Sequence, residues 1–197
     1  WQEAIAHTQP FDSEFRLRRA DGTYRWFHAH ASPLRDNAGC LLRWLGTFTE
    51  IHDRKQAESM QARLAAIVES SSDAVISKSL DGRILTWNKS AELMFGYSGE
   101  EIIGQSIFLL IPSDRQLEET TLIELIKTGK RVQQYETIRI RKSGSSIQVS
   151  LTVSPIMDAN GLVNAVSTIA HDITARKQTE EMMTQQRKLI ELSYEPI

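Results

Sequence analysis

The side chains with chemical reach are few. His28 and His30 stand two apart, so on a strand they share one face and offer two imidazole nitrogens to a metal or a proton. His171-Asp172 puts an acid–base couple side by side, and Cys40 is the single thiol. Each has a plainer reading. No third ligand lies near the histidine pair, so contact with solvent or a neighbouring linker is favoured over a metal site. Adjacent residues of a strand point to opposite faces, which separates His171 from Asp172 and leaves His171 as a strand-end surface residue. One cysteine excludes an internal disulfide and any multi-cysteine metal site. Neither a phosphoacceptor histidine box nor a Gly-rich nucleotide lid is recognisable. No catalytic residue and no metal are expected in this stretch.

The remaining composition narrows the setting. Against 25 acidic residues stand 23 basic ones, a net charge of −2 spread along all 197 positions. Without a basic stripe, a direct nucleic-acid partner is not expected. No apolar run approaches the roughly 20 residues of a membrane span and no signal segment opens the chain. The expectation is a cytoplasmic location with no direct membrane contact. The start at Trp1 and the end at Pro196-Ile197 read as cuts from a longer protein.

What must position these residues emerges from an internal repeat. Shifted by 122 positions, residues 14–75 lie on 136–197 without a gap, with 15 identities in 62 pairs, where unrelated sequences give roughly four. The matches fall at punctuation: Gly22 on Gly144, Ser32-Pro33 on Ser154-Pro155, Gly39 on Gly161, and Arg54-Lys55-Gln56 on Arg176-Lys177-Gln178. The repeat divides the chain into the end of one unit (1–52), a helical linker (53–70), a complete unit (71–173), a second helical linker (174–191) and the start of a third unit (192–197).

Within the complete unit the pattern is α+β. Ile147, Val149, Leu151 and Val153 alternate with polar residues, the period of a half-buried strand. Arg131–Arg141 before it and Leu162–Ile173 after it complete an antiparallel meander. Asp73–Ser79 and Arg83–Trp87 flank an Asp81-Gly82 turn. Between the two strand groups, Ser98-x-x-Glu101 and Ser113-x-x-Gln116 have capping-box spacing, and Gly129 sits where a helix stops. In the first linker Ala57, Met60, Leu64 and Ile67 fit the seam of a short coiled coil, or equally an amphipathic helix lying on its own sheet. The second linker keeps Met182 and Leu189 but has Gln186 in the seam.

Several of these segments resemble the PAS family of bacterial sensor modules: Asp73-Ala74-Val75-Ile76, Trp87-Asn88-Lys89-Ser90-Ala91, Phe95-Gly96-Tyr97, Glu101-Ile102-Ile103-Gly104, Ile111-Pro112 and the exit Asp172-Ile173-Thr174. The first unit is similar to a related subtype through Arg18–Trp26 and Trp44–Thr47, but leaves through Glu50-Ile51-His52. The resemblance implies a PAS fold repeated in tandem with helical linkers, each unit a five-stranded antiparallel sheet with helices on one face, forming a cup that holds a ligand in some members.

Residues placed to line that cup are Val75, Leu85, Phe95, Phe108, Leu110, Leu122, Ile126, Tyr135, Val149, Leu151 and Val153; a filled apolar core gives the same list and is the preferred reading. Tyr135 becomes a polar contact if its strand turns the odd-numbered residues inward. The helix after Ile111-Pro112 carries no histidine for haem, and Gly104–Phe108 lacks the cysteine that flavin photosensors of this fold require. Neither pigment is expected, and a small apolar ligand is the occupant left open. Asp172, Ile173, Thr174 and Arg176 form the expected signalling junction. The implied function is sensing and signal relay in a multi-PAS bacterial sensor histidine kinase. Its expected partners are a second copy, through linker helices or a sheet face, and the neighbouring PAS and kinase domains. A diguanylate cyclase or phosphodiesterase parent and a ligand-free dimerisation scaffold are the alternatives.

Overall fold

Alternation of apolar and polar residues builds the strands, and glycines in left-handed conformations turn them. In a computed structural model that describes residues 2, 7 and 9–193, β1 (Phe11–Arg18), β2 (Tyr24–Arg35) and β3 (Leu41–Glu50) form a three-stranded antiparallel sheet, followed by the helix α1 (His52–Glu69). A second sheet has five strands: β4 (Ala74–Ser79), β5 (Ile84–Trp87), β6 (Val132–Ile140), β7 (Ser146–Met157) and β8 (Val163–Asp172), in the order β5-β4-β8-β7-β6. All its pairings are antiparallel. The chain divides into two compact units, Trp1–Ala65 and Ala66–Ile197.

The 122-residue shift holds in three dimensions. It carries β2 and β3 onto β7 and β8 end for end, and β1 onto β6 but for one residue. Register agrees: Phe27 faces Glu50 as Val149 faces Asp172, and Ala29 faces Phe48 as Leu151 faces Ala170. One difference marks β6, where a bulge lies between Val132 and Tyr135 and Gln134 takes a φ of 53°. A non-glycine residue holds that left-handed conformation at a cost, and edge strands are where such bulges gather.

Between β5 and β6 run the elements that cover the sheet. α2 (Lys89–Phe95) starts at Asn88, whose side chain accepts from Ala91 N, and stops at Gly96 in the left-handed conformation. α3 (Gly99–Ile102) has the capping box expected of Ser98 and Glu101. At Ser113 the expectation fails: Ser113–Arg115 is a 3₁₀ turn, and α4 (Gln116–Lys127) begins at Gln116 with no side-chain cap. Arg115 stands at its cap position, and an arginine has no acceptor to offer the helix N–H groups. Glu118 and Glu119 in the first turn complement the helix dipole instead. At the other end Gly129, at φ +81°, closes α4 as expected. α5 (Thr174–Ser193) leaves the end of β8. The expected third unit at 192–197 lies largely outside the described residues.

Ile147, Val149, Leu151 and Val153 of β7 are buried with Ile76, Ile84, Phe95, Ile102, Leu110, Ile126 and Val166 in one core. Leu85 is a correction. It is 46% exposed, because the short strand β5 turns Ile84 and Trp87 inward instead. Val75 likewise sits between the inward residues Ala74 and Ile76 of β4 and is only half-buried. Along α1 no residue is buried, so Met60, Leu64 and Ile67 are all exposed and the helix does not lie on a sheet through them.

Leu151 and Ser154 test this register. Leu151→Asp places an unpaired carboxylate in the core and is expected to cost at least about 3–5 kcal/mol. Ser154, opposite Ser167 on the outer face, is expected to accept Asp within about 0.5–1 kcal/mol. Denaturant melts of both variants, followed by circular dichroism, check it; equal losses would displace the assigned register.

Candidate functional site

The phase of each element also brings charge into the core. On β4 the inward residues are Ala74, Ile76 and Lys78. On α4 the buried stripe is Glu119, Leu122, Ile123 and Ile126, one face of a helix. β6 turns its odd-numbered residues inward, placing Tyr135, Thr137 and Arg139 in line. Lys78, Glu119 and Arg139 are thereby 2%, 1% and 4% exposed. Lys78 Nζ donates to Glu119 Oε1, and Glu119 Oε2 lies 3.6 Å from Arg139 Nη2. Arg139 Nη1 donates to Thr137 Oγ1 at 3.2 Å and to the Ile138 carbonyl at 2.9 Å. At the rim Glu118 accepts from Thr137 Oγ1 at 2.6 Å and from Arg115 at 2.9 Å.

Burial pushes Lys78 below its ordinary pKa, with the Glu119 carboxylate opposing that shift. Arg139 is lowered by the same desolvation, against Glu119 and Glu118. Burial and the Glu118 carboxylate raise Tyr135. A small cavity of about 20 Å³ is lined by Lys78, Glu119, Arg139 and Thr168 at its polar end and by Ile76, Phe95, Ile107, Leu110, Leu151 and Ala170 elsewhere.

Of the expected lining residues, the structure brings Phe95, Leu110 and Leu151 to this cavity. Ile126, Val149 and Val153 are buried in the surrounding core, and Phe108 and Tyr135 pack against it half-buried. Leu122 is buried on the same stripe of α4. The charged residues were not among those expected, although their positions carried a signal: each interrupts an apolar pattern at an inward phase.

A second cluster lies at the exit, on the outer face. Ile173 N donates to the Gln148 carbonyl at 3.0 Å, while the Ile173 carbonyl accepts from Lys177 N at 2.9 Å. Thr174 N donates to Asp172 Oδ1 at 2.8 Å and Gln148 N to Thr174 Oγ1 at 3.2 Å. Glu136 on β6 receives both cations of the first turn of α5, Arg176 at one oxygen and Lys177 at the other, the latter at 2.5 Å. All four expected junction residues thus meet, together with Glu136, Lys177 and Arg141, which pairs with Asp172 at 3.4 Å.

The first unit repeats this arrangement. Glu14 receives Arg54 at 2.9 Å and Lys55 at 2.6 Å, Arg19 pairs with Glu50 at 2.8 Å, and Ile51 N donates to the Trp26 carbonyl at 2.9 Å. The Glu50-Ile51-His52 exit therefore keeps the main contacts despite its different residues. Lys177 and then Arg176 hold the Glu136 carboxyl below the usual carboxylate range, as Lys55 and Arg54 do for Glu14. A carboxylate with a lowered folded pKa contributes above its unfolded pKa and ceases to as pH falls through the folded one, so both latches are closed at neutral pH.

Of the histidines, His171 borders the exit cluster, lining an open cavity with Glu136, Asp172 and Arg176. His28 and His30 bracket one carboxylate, Asp12, at 2.9 and 3.1 Å. His171 pairs with Asp73 at 2.6 Å and is largely exposed. Cys40 is exposed in the turn before β3. Among the described residues no group of three or more histidine, cysteine or acidic side chains is arranged to hold a metal, and no helix is long and apolar enough to cross a membrane.

A family model described as PAS fold matches residues 62–173, and a second with the same description matches residues 1–48. Sensor protein FixL of Bradyrhizobium diazoefficiens is 26% identical over 93% of this chain, which spans 38% of that protein. The histidine-protein kinase AtoS of Escherichia coli is 29% identical over 64% of this chain and 20% of its own length. The chain thus spans well under half of these relatives. A solved PAS domain from Colwellia psychrerythraea superposes with a TM-score of 0.55 at 26% identity, covering 59% of this chain and 98% of that domain. An RNA-binding light-oxygen-voltage receptor shares the fold at a TM-score of 0.58 and 14% identity, over 95% of this chain and 84% of its own.

Lys78→Met leaves Glu119 buried with its nearest cation gone and is expected to destabilise the second unit by about 3–5 kcal/mol, while Lys78→Met with Glu119→Leu recovers part of that loss, the rest reflecting Arg139 left without its nearer carboxylate. Equilibrium denaturation of the single and double variants checks it; a double variant no more stable than the single would show that the pair is not coupled.

Proposed function

The chain belongs to the PAS fold family, and on that premise we propose that it is the sensory and signal-relay region of a multi-PAS bacterial sensor histidine kinase. It carries the end of one PAS unit (1–52), a complete unit (71–173) and the helical linkers after each. The observation that supports this most is the exit junction, built twice on one spacing from the same residue types, Glu14 with Arg54 and Lys55 and Glu136 with Arg176 and Lys177. A passive connection has no need to repeat a carboxylate aimed at the first helical turn. The kinases among the relatives supply the output in this reading, so the stretch itself catalyses nothing. Ala57, Met60, Leu64 and Ile67 on the exposed α1 pair with a second copy, which turns a shift at the junction into a change of helix phase.

Phase is what the parent protein can test. Each residue inserted into an α-helix turns it by about 100°, so two between Glu58 and Leu64 rotate the next PAS unit by roughly 200°, while seven nearly restore its facing. Two inserted residues are expected to disrupt or invert control of kinase output, and seven to preserve it. A signalling assay in which both insertions behave like the unmodified protein would reduce the region to a dimerisation scaffold.

No pigment enters this mechanism. The helix Gln116–Lys127 has no histidine and Gly104–Phe108 no cysteine. Protein produced with haem and flavin precursors supplied is expected to be colourless. An absorption spectrum with a stoichiometric Soret or flavin band would contradict it.

A further inference from the structure

Among the described residues of the second unit, two buried side-chain polar atoms have no hydrogen-bond partner: Arg139 Nη2 and Thr168 Oγ1. Both residues line the same small cavity. They come from different strands, β6 and β8, so no single local distortion accounts for the pair. Buried polar groups without partners are rare and costly in folded proteins, the more so on a charged guanidinium. Nη1 of the same arginine is engaged with Thr137 and the Ile138 carbonyl, while Nη2 makes no hydrogen bond and has only the Glu119 carboxylate near it, at 3.6 Å.

Charge points the same way. Lys78 and Arg139 bring two cations to the cavity, and Glu119 brings one carboxylate shared between them, one oxygen on Lys78 and the other 3.6 Å from Arg139. Glu118 stands at the rim, engaged by Arg115 and Thr137 and 3.9 Å from Arg139 Nη1. Among the charged residues that line the cavity, cations exceed carboxylates by one, with an N–H and a hydroxyl at hand. Desolvation holds both cations below their ordinary pKa values, a direction that an added negative charge reverses. The volume, about 20 Å³, exceeds the roughly 10–15 Å³ that one water requires, so the occupant is one small species.

We propose that this cavity is a receptor site for a single small monoanion, of the size of formate or nitrite, bound by Arg139 Nη2 and Thr168 Oγ1 beside Lys78. A neutral occupant such as water satisfies the two atoms and leaves the excess charge unanswered; an anion answers both. The site deepens the sensory reading and rests on it, because Arg139 and the latch residue Glu136 share the strand β6, one facing in and the other out.

Calorimetric titration of the 197-residue chain with sodium formate, at ionic strength held constant with a bulky sulfonate, tests it. Formamide, its neutral counterpart, serves as the control. The expected result is saturable one-to-one binding of formate at about millimolar strength, as befits three non-hydrogen atoms, and none of formamide. Arg139→Gln is expected to weaken formate by about tenfold or more, and Glu119→Gln, which removes the competing carboxylate, to strengthen it by about tenfold. Should Arg139→Gln not fold, Thr168→Val keeps the volume and the charge and is expected to weaken binding several-fold. Equal responses to formate and formamide, no saturable binding by the parent chain or Glu119→Gln, or binding indifferent to both Arg139→Gln and Thr168→Val would each overturn the proposal. Binding is read here without any output, so its failure leaves the insertion test of the relay standing, and the reverse.

Discussion

Ile173 ends one structure and begins another. Its N–H makes a last bond to the sheet, at Gln148, and its carbonyl accepts the first bond of α5, from Lys177. Strand and helix are continuous through one buried residue, which fixes where the helix starts but not how firmly its first turn is held. The holding falls to Glu136, reaching from the edge strand to Arg176 and Lys177. Exposed ion pairs are individually weak. Here one carboxylate holds two cations of the same helical turn, and the arrangement recurs in the first unit, which is why the exit geometry rather than the cup stands out as the repeated device.

β6 joins inside to outside. Tyr135, Thr137 and Arg139 face the core and Glu136 faces the helix, so neighbouring residues of one strand belong to the charged cluster and to the latch. The strand lies at the sheet edge, paired on one side only, and carries a bulge at Gln134. Edge position and bulge leave it less constrained than β7 or β8, which are paired on both sides. A change in the balance of charge around Arg139 thus acts on a strand that is paired on one side only. The buried cluster itself is poor ground for stability, since desolvating Lys78, Glu119 and Arg139 offsets most of what their attraction returns. Its retention in an otherwise apolar core fits a role in responding to an occupant.

Much of this was legible in the sequence. Sequence alternation located β7 and β8 to within a residue at each end, and the 122-residue shift relates them to β2 and β3, because turn glycines and strand alternation are local properties that a duplication preserves. Asp172, Ile173, Thr174 and Arg176 were legible as a junction through their resemblance and the repeated Arg-Lys-Gln. Their partner Glu136 was not, since it lies 40 positions from Arg176 and meets it only through strand pairing. Leu85 misled because a four-residue strand gives too little alternation to fix its phase. Lys78, Glu119 and Arg139 were overlooked for a physical reason: charged residues are nearly always exposed, and only the joint phase of three separate elements places them together. The Ser113 capping-box spacing failed because the chain after Pro112 enters a 3₁₀ turn before it becomes α-helical.

Relay through the exit requires that Glu136 hold the first turn of α5 to the sheet, and hydrogen exchange tests this most directly. In Glu136→Gln, which keeps the shape and removes the charge, amides of residues 177–180 are predicted to exchange faster than in the parent chain, with the β7 and β8 amides unchanged. Unchanged exchange across that first turn would mean that Ile173 alone sets the junction, and the latch would lose its place in the relay.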